Sequence, residues 1–209
     1  MKKETDSNIF EAWERRWEGS PRRKHISPLG RQMFNAKKKI LARILTEIEI
    51  DTAIDVGCGL GFVLEVYRDH GVEYIGIDVS SNAVSFCTRK KLNVVKKKMD
   101  EVDTQYDLVS SDGMLEHFLH FEPYAEQMME LSRKYILLIQ PNHNSFLGRT
   151  LAYLAGIFGD RKNVYEYNYR IEDFVDVFEK GEFGLFKSFP VYLDVFRLLL
   201  FKKKLSEKK

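Results

Sequence analysis

The residues best suited to chemistry lie in one short segment, Ala53-Ile54-Asp55-Val56-Gly57-Cys58-Gly59-Leu60-Gly61-Phe62. An apolar run ending in a carboxylate meets glycines at three alternate positions. Glycine tolerates left-handed backbone and lets a ligand approach the main chain closely. A helix starting just beyond aims its N–H groups at whatever sits there. Two nucleotide-like ligands compete for such a loop. A dinucleotide fingerprint needs a third glycine where Phe62 stands, so it is broken. A carboxylate beside the loop suits a ligand bearing an ammonium or sulfonium, since opposite charges attract strongly where water is sparse.

A loop of this kind needs a strand before it and a helix after it, and the surrounding sequence supplies both. Strands are expected at Thr52–Val56, Tyr74–Val79, Asn93–Lys96, Tyr106–Ser111 and Tyr135–Gln140, the last stopped by Pro141. Helices are expected over Phe62–His70 with Gly71 as C-cap, from Asn82 to Lys90 capped by Ser81, and from Pro123 to Ser132. This alternation predicts an α/β Rossmann-like, doubly wound, mostly parallel sheet with helices on both faces. Further helices are read at Asn144–Gly159 and Ile171–Lys180. The runs Phe186–Tyr192 and Val195–Lys202 form a C-terminal antiparallel hairpin at the sheet edge, completing seven strands.

Composition excludes several classes. The chain has 209 residues, 44% hydrophobic and 31% charged, as expected of one globular domain and not of a disordered chain. A net charge of +2 is too balanced for nucleic-acid binding by bulk charge. Two cysteines make neither a disulfide scaffold nor a Cys-rich zinc site. No apolar run approaches the roughly 20 residues that span a bilayer, and the first residues lack a signal-peptide core. The expectation is a soluble, cytoplasmic protein. Residues 1–50 are distinct, with twelve Lys and Arg against seven Asp and Glu. Residues 1–45 read as a basic, aromatic helical leader and 46–209 as the body. Phe10, Trp13 and Trp17 make an amphipathic stripe that either packs on the body or closes over the site as a lid.

The glycine segment resembles the first motif of the class I S-adenosylmethionine-dependent methyltransferases, and further motifs follow in order. Tyr74-Ile75-Gly76-Ile77-Asp78 resembles the second strand ending in an acid. Met99-Asp100-Glu101-Val102 resembles the turn after strand three. Tyr106 through Asp112-Gly113-Met114-Leu115-Glu116-His117 resembles the fourth-strand motif with its Leu-Glu-His. Tyr135-Ile-Leu-Leu-Ile-Gln-Pro-Asn142 resembles the fifth strand and its turn. The likeness covers about residues 50–145.

The resemblance implies S-adenosyl-L-methionine as cofactor, held by Asp55, Gly57, Cys58, Gly59, Gly61, Asp78, Val79, Asp100, Glu101 and Asp112. Asp78 would take both ribose hydroxyls, the Asp100 turn the adenine amino group, and Asp55 with Asp112 the methionine ammonium. A general base, where the acceptor needs one, would be His117, His143 or a tyrosine such as Tyr165 or Tyr167. His117 and His120 are spaced to share a helical face, but with no third ligand nearby zinc is disfavoured. The Asn/Asp-Pro-Pro-aromatic run of the amino-base methylases and the Pro-Cys of the cytosine-5 enzymes are both missing, Ser111-Asp112-Gly113-Met114 standing there instead. A small-molecule acceptor follows. The segment Phe146–Phe158 with Tyr165, Tyr167 and Tyr169 hints at an apolar or aromatic one. Rival readings are an RNA or protein methyltransferase docked through the basic leader, a nicotinamide oxidoreductase, and a non-catalytic S-adenosylmethionine-binding regulator.

Overall fold

The computed structural model describes residues 6–18, 28–145 and 166–205. The helix read over Asn144–Gly159, the segment Phe146–Phe158, the triplet Arg22-Arg23-Lys24 and Tyr165 fall wholly or largely outside them. Helix α1 spans Asp6–Arg16 and α2 Pro28–Glu47. Then follow β1 Thr52–Val56, α3 Phe62–Asp69, β2 Glu73–Asp78, α4 Ser81–Arg89 and β3 Val94–Lys96. The rest is β4 Tyr106–Asp112, α5 Glu122–Leu131, β5 Ser132–Pro141, α6 Ile171–Lys180, β6 Phe183–Val191 and β7 Phe196–Lys203.

The strands form one seven-stranded sheet in the order β3-β2-β1-β4-β5-β7-β6. The first five are parallel, and β7 runs antiparallel to β5 and β6. The expected hairpin is present, but its second strand inserts between β5 and β6, so only β6 lies at the edge. The reason is apolarity on both faces: Leu198, Leu199, Leu200 and Phe201 are all fully buried. Leu198 and Leu200 join the core under α2 and α3, whereas Leu199 and Phe201 join the core under α5 and α6. A strand buried on both sides belongs inside a sheet. β1 shows the same division, with Ala53 facing one core and Ile54 and Val56 the other.

The helices mostly match their sequence expectations, with two caps corrected: the C-cap of α3 is His70, and Gly71, at φ 70°, is the residue after it. Ser80, not Ser81, caps α4: its backbone is extended and its Oγ accepts from the Ala83 N–H at 3.2 Å. A serine must precede the first helical residue to reach the N3 amide, and Ser81 is already helical. The 20-residue α2 has no sequence forecast beyond a helical leader. Leu41 and Ile44 are fully buried against the α3 side of the core, and Lys38 pairs with Glu65 of α3 at 2.8 Å.

Strand order reverses between β1 and β4, where the connections leave to opposite sides. A crevice opens at such a point beyond the carboxyl ends of the strands. Asp55, Asp78 and Asp112 lie at or beside the ends of β1, β2 and β4 and so gather along one edge.

Because α2 fills the core, Leu41→Ala is expected to lower unfolding free energy by about 2–5 kcal/mol. Lys39→Ala, on the exposed face of α2, is expected to stay within about 0.5 kcal/mol of wild type. Urea denaturation of the two variants checks this, and equal, small effects would mean that α2 is only loosely applied.

Candidate active site

The glycine loop is built as its sequence requires. Gly57, Gly59 and Gly61 have φ of 67°, 50° and 74°, the left-handed region that costs other residues energy. A side chain would also collide. A Cβ on Gly57 would lie 3.1 Å from the Met114 sulfur, and one on Gly59 would lie 3.2 Å from the Trp17 ring. Gly61 caps α3 and faces inward, where a Cβ would come within 2.4 Å of Leu92. It shapes the loop without lining the cavity above it.

That cavity is about 780 Å³, within the range of small-molecule sites. Asp55, Gly57, Cys58, Gly59, Asp78, Val79, Asp100 and Asp112 line it, as do His117 and His120. Five expected residues among those described do not. Gly61 is one. Glu101 turns back, its Oε2 accepting from the Lys98 N–H at 3.0 Å. His143, after β5, is absent from the lining, and its Nε2 is buried with no hydrogen-bond partner among the described residues. His117 and His120 do not share a helical face, because only a short 3-10 turn, Leu115–His117, forms there. Tyr167 and Tyr169 also stand behind the wall. The Tyr167 N–H donates to the Glu116 carbonyl at 2.8 Å, and the Tyr169 hydroxyl donates to the carbonyls of Phe118 and Leu119 at 3.0 and 2.7 Å. They fix the loop after β4 and leave the lining to Phe118, Tyr124 and Phe196.

Each acid at the crevice edge has its own environment. Asp78 is 6% exposed; its Oδ2 accepts from the Gly59 N–H and its Oδ1 from the Ser80 N–H, both at 2.8 Å. Burial raises its pKa, and those backbone donors oppose the rise. Each carboxylate oxygen keeps a second lone pair for a ligand. Asp55 is deeper, with Oδ1 accepting from the Ser110 hydroxyl at 2.6 Å, and burial holds its carboxyl well above the usual range. Asp112 is already partnered: Lys37 Nζ lies 2.6 Å from its Oδ1.

Lys37 is a site residue that the sequence reading missed. It is 7% exposed, lines the cavity, and also stands 4.2 Å from the centre of the Phe196 ring. The run Lys37–Lys39 gives no hint of this, because Lys38 and Lys39 turn away from the site. Helical phase relative to the buried Leu41 and Ile44 is the one signal that could have separated them.

Glu116 is the second missed residue. It is 4% exposed, lines the cavity, and its Oε2 has no hydrogen-bond partner among the described residues. Burial above all raises its pKa to about 8; its own backbone N–H opposes the rise most, Glu166 and Asp112 add repulsion, and Lys37 opposes it.

Helix α1 closes the cavity from above. Phe10, Trp13, Arg16 and Trp17 line it. The rings of Trp13 and Trp17 stack at 6.0 Å, and Trp13 meets the His117 ring edge-on at 4.7 Å. Asn82 of α4 ties α1 down by donating to the Glu14 carbonyl at 3.2 Å. Among the described residues, no group of three His, Cys, Asp or Glu side chains is placed to hold a metal ion, and no helix is long and apolar enough to cross a membrane.

Comparison with known proteins bears on this geometry. The profile of a family described as "Methyltransferase domain" matches residues 29–180. No curated protein sequence matches the chain. Among solved structures, the chain is similar to magnesium protoporphyrin IX methyltransferase (ChlM) of Synechocystis PCC 6803, solved with bound SAH. The TM-score is 0.68 at 15% identity, over 95% of this chain and 96% of that one. It is also similar to the N-methyltransferase NodS of Bradyrhizobium japonicum, in complex with S-adenosyl-L-homocysteine. There the TM-score is 0.68 at 13% identity, over 94% and 98% of the two chains. A methyltransferase of Haloferax volcanii, solved with its Trm112 activator, gives a TM-score of 0.69 at 13% identity over 98% and 100%. At these identities the likeness is one of fold.

The raised pKa of Glu116 has a stability consequence. The folded state binds a proton more tightly than the unfolded chain, so Glu116 costs stability increasingly as pH rises from about 4.5 to about 8. Glu116→Gln removes that cost. It is expected to raise unfolding free energy at pH 7 by at most about 3 kcal/mol, and by little at pH 4.5. Thermal melts of both proteins across this pH range check it; a gain independent of pH would contradict it.

Proposed function

The chain belongs to the methyltransferase-domain family, and from that premise we propose that it transfers a methyl group from S-adenosyl-L-methionine to a small molecule with an apolar or aromatic body. The observation that carries this reading is the pairing of a left-handed triple-glycine loop with the Asp78 carboxylate beneath one 780 Å³ cavity.

The site residues fit the cofactor in charge and in shape. Asp78 receives the ribose hydroxyls. The loop of Gly57, Cys58 and Gly59 offers bare backbone to the nucleoside, with Val79 beside it and Asp100 toward the adenine amino group. Asp112 and Lys37 form an adjacent pair of opposite charges, complementary to the ammonium and carboxylate of a methionine zwitterion. Asp55 lies beneath, accepting from the Ser110 hydroxyl and bracing the end of β1 under the cationic end. Gly61 and Glu101 shape the loop and the turn without touching the ligand.

The sulfonium brings an already activated methyl group, so the protein's work is positioning and exclusion of water. Charge disperses as the methyl leaves, and a drier site favours that change. α1 supplies the cover, its Trp13 and Trp17 acting with Phe34, Phe62 and Phe196 as an aromatic rim. We take α1 as this capping element and move the expected boundary at residue 45 back before α2, whose Leu41 and Ile44 fill the core of the methyl-transfer body. His117, held against Trp13, faces the acceptor side of the cavity. The acceptor named for ChlM, a magnesium porphyrin, is consistent with an apolar substrate. We place the protein in the cytoplasm as a soluble enzyme, with nucleic acid an unfavoured partner.

Asp78→Ala removes the carboxylate that serves loop and ribose together. It is expected to weaken S-adenosylhomocysteine binding by about 2–4 kcal/mol, with charged hydrogen bonds contributing about 1.5–3 kcal/mol each. Calorimetry on variant protein with a wild-type circular dichroism spectrum checks it, and unchanged affinity would refute the assignment.

A further inference from the structure

Glu116 stands apart from the other buried and half-buried carboxylates of the cavity. Asp55 has Ser110, Asp78 has two backbone amides, and Asp112 has Lys37. Glu116 is equally deep, lines the same cavity, and leaves Oε2 without a hydrogen-bond partner among the described residues. Its position is fixed. The Glu116 carbonyl accepts from the Tyr167 N–H at 2.8 Å, and Oε1 lies 3.2 Å from where a Gly113 Cβ would project. A buried polar atom with no partner is costly unless a ligand completes it.

Charge then selects the ligand. The groups around Glu116 are Asp112, Lys37, Glu166 and the neighbouring His117. Asp112 and Lys37 cancel each other, so Glu166, and Glu116 once it ionises, leave an excess of negative charge on this side. A carboxylate ligand would be repelled. A neutral hydroxyl could meet Oε2 but would bring no charge to set against Glu116 when it ionises. A cationic nitrogen satisfies both the charge and the empty acceptor, and Met114, Phe118, Tyr124 and Phe196 offer apolar and aromatic surface for the body behind it.

We propose that the methyl acceptor is an amine on an apolar or aromatic body and that Glu116 is the catalytic residue that takes its proton. The proposal rests on the methyl-transfer reading above. In the step, an N–H bond of the ammonium breaks and its proton passes to Glu116 Oε2. The nitrogen lone pair so freed forms the bond to the methyl carbon. The carbon–sulfur bond breaks with its electron pair retained by sulfur, which becomes a neutral thioether. The methylated ammonium carries the positive charge away, and Glu116 returns its proton to solvent as product leaves.

The pH behaviour follows. Free Glu116, with its pKa raised to about 8 by burial, is mostly protonated at pH 7. An ammonium binds its ionised form, so binding at pH 7 releases a proton. The test uses the full chain saturated with S-adenosylhomocysteine. The probes are 2-phenylethylamine and tryptamine, against 2-phenylethanol and 3-phenylpropionate, by calorimetry at pH 7 in two buffers of different ionisation enthalpy. Amines are expected to bind at least about tenfold more tightly than the alcohol, with release of close to one proton. In Glu116→Gln both the preference and the proton release are lost, while S-adenosylhomocysteine affinity stays within about twofold. If S-adenosylhomocysteine binds but amines show no preference, or Glu116→Gln keeps it, this proposal is overturned and the methyl-transfer reading stands. If S-adenosylhomocysteine does not bind wild type, the methyl-transfer reading fails first and takes the proposal with it.

Discussion

One buried carboxylate ties the site together. Asp78 ends β2 and holds the Gly59 amide with one oxygen and the Ser80 amide with the other, each at 2.8 Å. The first bond folds the glycine loop down onto the neighbouring strand. The second sets the chain into α4, whose cap is Ser80 itself. Two connections of the sheet are therefore fixed at a single side chain. The cost is a carboxylate kept out of water, offset by the amide donors. The same carboxylate lines the cavity.

The same edge separates roles by environment. Asp107, at the opposite end of β4, accepts from the Asp51 amide and from Arg133, and serves the fold alone. Asp112, five residues on, meets Lys37 of α2 at the mouth of the crevice. Glu116, just beyond, leaves its Oε2 without a hydrogen-bond partner among the described residues. Along one strand and its following turn, carboxylates pass from one held by the fold, to one paired with a buried lysine, to one whose Oε2 has no hydrogen-bond partner among the described residues. The change follows the strand from its anchored end to its open end, as expected of a parallel sheet whose ligands sit beyond the carboxyl ends.

Much of this was legible in the sequence, for local reasons. The glycines at alternate positions, the Asp78 that ends β2 and the apolar five-residue runs all obey short-range rules, and the central strands fall within a few residues of expectation. What escaped depends on distant contacts. Lys37 looks like one of three surface lysines until α2 packs on α3 and turns it inward. Glu116 looks like one acid in a turn until Tyr167, some fifty positions later, closes the backbone over it. The histidine spacing misled because the chain makes only a single 3-10 turn there. The place of β7 inside the sheet was readable from its four consecutive buried residues, but a short hairpin connection suggested an edge.

The central claim is that the crevice over the glycine loop seats an adenosyl sulfonium nucleoside and not a dinucleotide. Calorimetric titration of the full chain with S-adenosylhomocysteine, and separately with NAD and NADH, tests it most directly. The account predicts one-to-one binding of S-adenosylhomocysteine in the micromolar range and no measurable heat from either nicotinamide. Binding of a nicotinamide dinucleotide with no binding of S-adenosylhomocysteine would contradict it.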